Sequence, residues 1–215
     1  MSYDKYKLVL DLEMSGIYSE EIPMGEIIEV GAVLLNEEFE IISEYSTYVR
    51  PKDFRIARNV VRITDITEDK LIGAPTIKEA LEELINITPD IKSTTLYTWS
   101  DSDTKAIKCE LDSKNIQIDF IMELCDNYVD IQDIFNKRVG IENRLNLTKA
   151  LNMIGLVFDG KEHGALADSI NTAHLLKEIE TEDSVKKTIE SINSYMHSEP
   201  LTSTMASLFA NLVLD

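Results

Sequence analysis

The stretch "LVLDLEMSGIY", residues 8–18, sets two carboxylates, Asp11 and Glu13, at the end of an apolar run. Leu8, Val9, Leu10 and Leu12 make residues 6–12 read as a buried strand. Alternate residues of a strand share a face, so Asp11 and Glu13 project side by side while Leu10 and Leu12 face the other way. Two acids held that close repel, and each is costly out of water unless something positive pairs with it. Either this face of the strand is wet, or a cation belongs between the acids. Mg²⁺ and Mn²⁺ are the hard ions that prefer such oxygen ligands. From the pair alone the wet face carries at least equal weight.

The chain has 215 residues, 44% apolar and 28% charged, which suits one globular domain with a substantial core. Its net charge of −18 argues against tight, non-specific binding of long duplex DNA. A short single strand makes few phosphate contacts, and metal ions at a carboxylate site supply local positive charge. The basic residues are uneven. "RPKDFRIARNVVR", residues 50–62, holds Arg50, Lys52, Arg55, Arg58 and Arg62 against Asp53, and a weaker cluster holds Lys137, Arg138, Arg144 and Lys149. For the first cluster, phosphate contact and solvated surface weigh equally. Cys109 and Cys125 lack disulfide or metal spacing and read as reduced thiols. The first residues do not form a secretory leader and no apolar run spans a bilayer, so the expectation is a cytoplasmic protein with no membrane partner.

Outward from the first strand, residues 26–36 and 40–49 read as strands joined by a hairpin at Asn36-Glu37-Glu38. A loop with a short helix runs from Pro51 to Gly73, and Pro75-Thr76 opens a helix. Residues 93–99 form a fourth, buried strand, followed by a helix that starts in "WSDSDTKAI". "YVDIQDIFNKRV" is a strand or turn entering a helix, and helices are expected over "LNLTKALNMIGL" and "ALADSINTAHLLKEIE". Two further helical patterns lie within residues 183–215. A hairpin-bearing sheet followed by alternating helix and strand makes a mixed α/β layer fold.

Two other segments could carry chemistry. Asp101 and Asp103 follow the fourth strand, where sites of open α/β sheets gather, although Ser100, Asp101 and Ser102 also suit a helix N-cap. In "EHGALADSINTAHLL", residues 162–176, His163 precedes a helix that contains Asp168. Histidine suits proton transfer near neutral pH, but a lone one is more often a surface residue. Taken singly, each is weak.

In order and setting, these residues resemble the DEDDh family of 3′–5′ exonucleases, with its RNase H-like fold. "VLDLEMSG" resembles the first motif of that family, in the form found in oligoribonucleases, and "EIIEVGAVLL" its second strand. "VRITDIT" resembles a groove-lining segment that usually reads Leu-Thr-Gly-Ile-Thr, and "HGALADSINTAHLL" resembles the motif His-x-Ala-x-x-Asp. The resemblance covers residues 6–180 and implies a mixed sheet of about five strands flanked by helices. The exonuclease domain is then 1–182, with 183–215 a C-terminal helical extension packed on it. It makes Asp11, Glu13, Asp103 and Asp168 the metal-binding acids and His163 the general base. Asp101 is the alternative to Asp103.

The implied activity is two-metal hydrolysis of single-stranded nucleic acid from its 3′ end, releasing nucleoside 5′-monophosphates, with two Mg²⁺ or Mn²⁺ ions about 4 Å apart. RNA or short oligonucleotides are slightly preferred. Met14, Ser15 and Gly16 would lie near the terminal nucleotide, and Arg50, Arg55, Arg58 and Arg62 would grip the backbone. A homodimer is one expected assembly, and the acidic balance fits short oligonucleotides or a partner that delivers substrate. A proofreading-type DNA exonuclease and a non-catalytic binding module on the same fold are the alternatives. The chain departs from the pattern at Asp65, in place of the usual glycine, at Gly164, where arginine is common, and at Ala167, where the motif has a second aspartate.

Overall fold

The computed structural model describes residues 5–181 together with 189–190. Three strands come first: β1 (Tyr6–Met14), β2 (Ile27–Leu35) and β3 (Ile41–Tyr48). A short helix α1 (Arg58–Thr64) and a longer α2 (Ile77–Asn86) lead to β4 (Thr94–Thr98) and α3 (Ser102–Ser113). Then follow α4 (Asp119–Asp126), β5 (Val129–Asp130), α5 (Ile131–Val139), α6 (Leu147–Met153) and α7 (Ala165–Thr181). The sheet has five strands in the order β3-β2-β1-β4-β5. Pairing is antiparallel across β1–β2 and β2–β3, and parallel across β1–β4 and β4–β5. This is the mixed five-stranded sheet flanked by helices that the family resemblance implies.

The central strand β1 is buried on both faces. Leu8, Leu10 and Leu12 pack with Leu81 and Leu84 of α2, Ile107 and Leu111 of α3, and Ile121 of α4. Val9 packs on the opposite side with Phe135 of α5, Leu151 of α6, and Leu175 and Leu176 of α7. Asp11 and Glu13 continue the face of Val9, because alternation along the strand keeps all three on one side. The face that carries the acids is therefore a helix-covered layer rather than an open wet surface.

The local signals explain most of these elements. Thr76 and Glu79 form a reciprocal capping box that starts α2. The Asp130 side chain caps α5, and Gly140, in the left-handed region, ends it. The hairpin between β2 and β3 closes through Asn36, whose side-chain oxygen accepts the Glu40 amide at 2.8 Å, and Phe39 takes a positive φ. Helix α4 has no counterpart in the sequence reading. It is eight residues long and its N-cap, Ile118, makes no side-chain cap, so it carries no start signal. The expected extension over 183–215 falls outside the described residues except for Ile189 and Glu190, which are helical. Ile189 is buried in the layer with α7. No helix among the described residues is long and apolar enough to cross a membrane.

Gly31 of β2 lies opposite Asp11 and is where α7 meets the sheet. A Cβ added there would sit 2.1 Å from the backbone of Ala165 and Leu166. The Ser169 hydroxyl reinforces the contact by donating to the Gly31 carbonyl at 2.9 Å. Backbone cannot yield as a flexible side chain can, so Gly31→Ala must push α7 off the sheet. The expected cost is about 1–3 kcal/mol of stability, read as a lower urea midpoint. An unchanged midpoint would refute this account of the contact.

Candidate active site

Three elements deliver the acids. β1 supplies Asp11 and Glu13, the first turn of α3 supplies Asp103, and the first turn of α7 supplies Asp168. β4 stops at Thr98, which pairs with Leu10. Beyond that point the Leu12 amide donates to the Asp103 carboxylate at 3.2 Å, so the start of α3 takes over where the parallel ladder ends. Asp103 is only 5% exposed. Asp101, at the N-cap, points elsewhere: its carboxylate meets Lys105 at 2.5 Å. That hydrogen bond and charge hold its carboxyl below the usual range. Of the two, Asp103 is the one placed among the other acids.

At the start of α7, ligand atoms of Glu13, His163 and Asp168 all lie within 4.8 Å of one another. His163 is exposed and takes a positive φ of 62°. Its backbone N–H donates to the Asp168 carboxylate. Burial, above all, raises every acid of the group. Asp11 is pushed well up by burial and then by Asp103, Asp168, Glu13 and Glu29. Glu13 rises to about 8 through burial and then the charges of Asp168, Glu29 and Asp103. Asp103 is raised by burial, and Asp168 rises to about 6, mainly by burial, with His163 opposing. A group of carboxylates that resist ionising together is a site short of positive charge.

Glu29 is a fifth acid that the sequence reading missed. It pairs with Glu13 across β1 and β2, so the two side chains share a face. Its carboxylate accepts the Ala165 amide at 3.1 Å, which fixes the start of α7. The signal was present in "EIIEVG", but the register that sets Glu29 against Glu13 was not. An irregularity between Glu13 and Met14 shifts the pairing there.

The segment after the acids is held against α1. Ser15 is buried, its hydroxyl accepting the amides of Glu26 at 3.1 Å and Ile17 at 3.4 Å, and its carbonyl accepts the Ala57 amide at 2.8 Å. Gly16 has φ +66°, and a Cβ there would fall 2.7 Å from Val60. Met14 packs against the core, so the side chains of Met14 and Ser15 are both engaged within the protein. Glu26 joins Lys114, which also meets the buried Glu110, each at 2.7 Å. Glu26 also accepts the Lys52 amide at 2.8 Å, tying the basic segment to the end of β1. Arg50, Arg55, Arg58 and Arg62 are all exposed. Arg55 pairs with Asp53, Arg58 and Arg62 lie on α1, and the Arg50 amide donates to Pro75. In the second basic cluster, Arg138 meets Glu180 and Arg144 meets Asp130, both at 2.6 Å.

Residues 8–176 match the family model described as "Exonuclease". The chain is 28% identical over 177 residues to the probable 3′–5′ exonuclease KapD of Bacillus subtilis, covering 80% of this chain and 83% of KapD. It is 26% identical over 221 residues to human 3′–5′ exoribonuclease 1, covering 96% of this chain but only 60% of the human protein. The nuclease domain of 3′hExo, a DEDDh family member solved with rAMP, superposes with a TM-score of 0.73 at 24% identity, covering 86% of this chain and 96% of that domain. With the family match spanning most of its length and this sheet order beneath it, the chain belongs to the exonuclease family, in the RNase H-like fold of the DEDDh 3′–5′ exonucleases.

Proposed function

We propose that the protein removes nucleoside 5′-monophosphates from the 3′ end of single-stranded nucleic acid, RNA or short oligonucleotides in preference. The observation that carries this reading is the meeting of Glu13, Asp168 and His163 within 4.8 Å, beside Asp11 and Asp103. The donor set fits hard divalent ions. It is carboxylate-rich and mutually repelling, and the ion pairs among the described residues leave Asp11, Glu13, Asp103 and Asp168 without a lysine or arginine partner. These four acids would hold Mg²⁺ or Mn²⁺, which would supply positive charge to the scissile phosphate and lower the pKa of water.

The chain's own groups do the rest. The exposed imidazole of His163 takes the proton of the attacking water, with Glu13 and Asp168 within 4.8 Å of the ring. The leaving group is the 3′ oxygen of the preceding nucleotide. The rim formed by residues 14–17 and α1 seats the terminal nucleotide, with Arg58 and Arg62 on the backbone side. The preference for RNA draws on the similarity to human 3′–5′ exoribonuclease 1.

The test uses 5′-labelled RNA and DNA oligonucleotides of several lengths with Mg²⁺ or Mn²⁺. The expected result is a ladder shortening from the 3′ end. DNA cleaved faster than RNA would replace the RNA preference with the proofreading-type reading. Asp11→Asn and Asp103→Asn should abolish the ladder, His163→Ala should slow it by about 10²–10⁴-fold, and Asp101→Asn should leave it within a few-fold of wild type. Should Asp101→Asn abolish it and Asp103→Asn spare it, the assignment of the two aspartates reverses.

The raised carboxyl groups carry a second prediction. An acid whose folded pKa exceeds its unfolded value costs stability once it must ionise. For Glu13 the cost is absent below its unfolded value, grows as pH rises towards its folded value, and is complete above about 8. In EDTA the thermal midpoint should therefore fall as pH rises from about 5 to about 8.5. The gain on adding Mg²⁺ or Mn²⁺ should grow over the same range, because the cation displaces protons. Asp11→Asn should flatten both trends. A midpoint gain independent of pH would mean that the ions bind elsewhere.

A further inference from the structure

Asp65 occupies the C-cap of α1 in the left-handed region, with φ 59°. Glycine suits such a position best, and aspartate there is tolerated rather than favoured. What the aspartate adds is a contact with the loop that enters α7. Lys161 Nζ meets the Asp65 carboxylate at 2.5 Å and donates to the Thr64 carbonyl at 2.9 Å. That bond and the lysine's charge hold the Asp65 carboxyl below its usual range. The negative charge of Asp65 is thus paired within the protein.

Lys161 stands two residues before His163, on the loop that enters α7. The base of this loop is fixed by Asn171, whose side chain accepts the Asp159 amide at 2.9 Å and donates to the Asp159 carbonyl at 2.8 Å. Its far end is fixed at Ala165 by Glu29. Between these anchors the chain turns through positive φ at Gly160 and His163, and the His163 side chain is exposed. Lys161 is the side chain that reaches from this span to α1, and its charge also acts on Glu13 and Glu29.

We propose that Asp65 and Lys161 are positioning residues: their ion pair clasps the His163 loop to the end of α1 and so sets the imidazole beside Glu13 and Asp168. The clasp rests on the exonuclease reading only for its effect on rate. Both partners are more than half exposed, so the pair is weak by itself and salt screens it.

The test is a double-mutant cycle of Asp65→Asn, Lys161→Met and the pair together, with Lys161→Arg as the conservative variant. Asparagine keeps the left-handed cap, and methionine keeps the stem of the lysine. Each single variant should lower kcat by about two- to five-fold with little change in KM, and the double should be no worse than either. Lys161→Arg should stay near wild type. Raising salt should bring the wild-type kcat towards that of Asp65→Asn. In the protein without added metal, the His163 imidazole NMR signals should move in both single variants and not in Lys161→Arg. Additive losses in kcat, or unmoved His163 signals, overturn the clasp. If wild type degrades no nucleic acid, the exonuclease reading fails and the His163 signals still decide the clasp.

Discussion

Helix α7 lies on β2 closer than any side chain would allow, and the acid cluster depends on that approach. Gly31 leaves the space, Ser169 bonds to its carbonyl, and Glu29 receives the first amide of the helix. Together they set the first turn of α7 over the end of β1. Asp168 and His163 therefore arrive where Asp11 and Glu13 already point. A bulkier residue at position 31 would lift the helix and carry His163 and Asp168 away from Glu13.

The same layer that brings the acids together also shields them in part from water, which is why burial leads the causes of their raised pKa values. Hydrophobic packing of β1 on both faces supplies the driving force for this arrangement. The charged residues sit where that packing stops, past Val9 on one side. A second polar network, in which Lys114 joins Glu26 and Glu110, holds the turn after β1 against α3. Buried ion pairs of this kind contribute little net stability. Their effect here is geometric: Glu26 also takes the Lys52 amide, so the basic segment and the rim of the site share one anchor.

Much of this was legible in residue order. The spacing of Asp11 and Glu13 put both on one face, and the strand and helix patterns placed Asp103, His163 and Asp168 at element ends, where an α/β sheet gathers its site. Glu29 escaped because its partner depends on strand register, and the irregularity beside Glu13 is invisible to periodicity. Asp101 and Asp103 were close to interchangeable in sequence, since both suit a helix start. Helix α4 was missed because it is short and has no cap to announce it. At Asp65 the sequence showed a departure from the family pattern but not its partner, ninety-six residues away along the chain.

By itself the sequence determined most of the elements, all but α4, together with their order and the family, because apolar periodicity, caps and motif residues are local properties of the chain. It also determined that two acids share a face. Only the tertiary structure decided that this face is covered, that Asp103 rather than Asp101 bonds to the edge of β1, and that Glu29 and Lys161 belong to the surroundings of the site. Those outcomes depend on where a helix end stops against a strand. Packing distances between segments far apart in sequence set that, and no window of the sequence contains them.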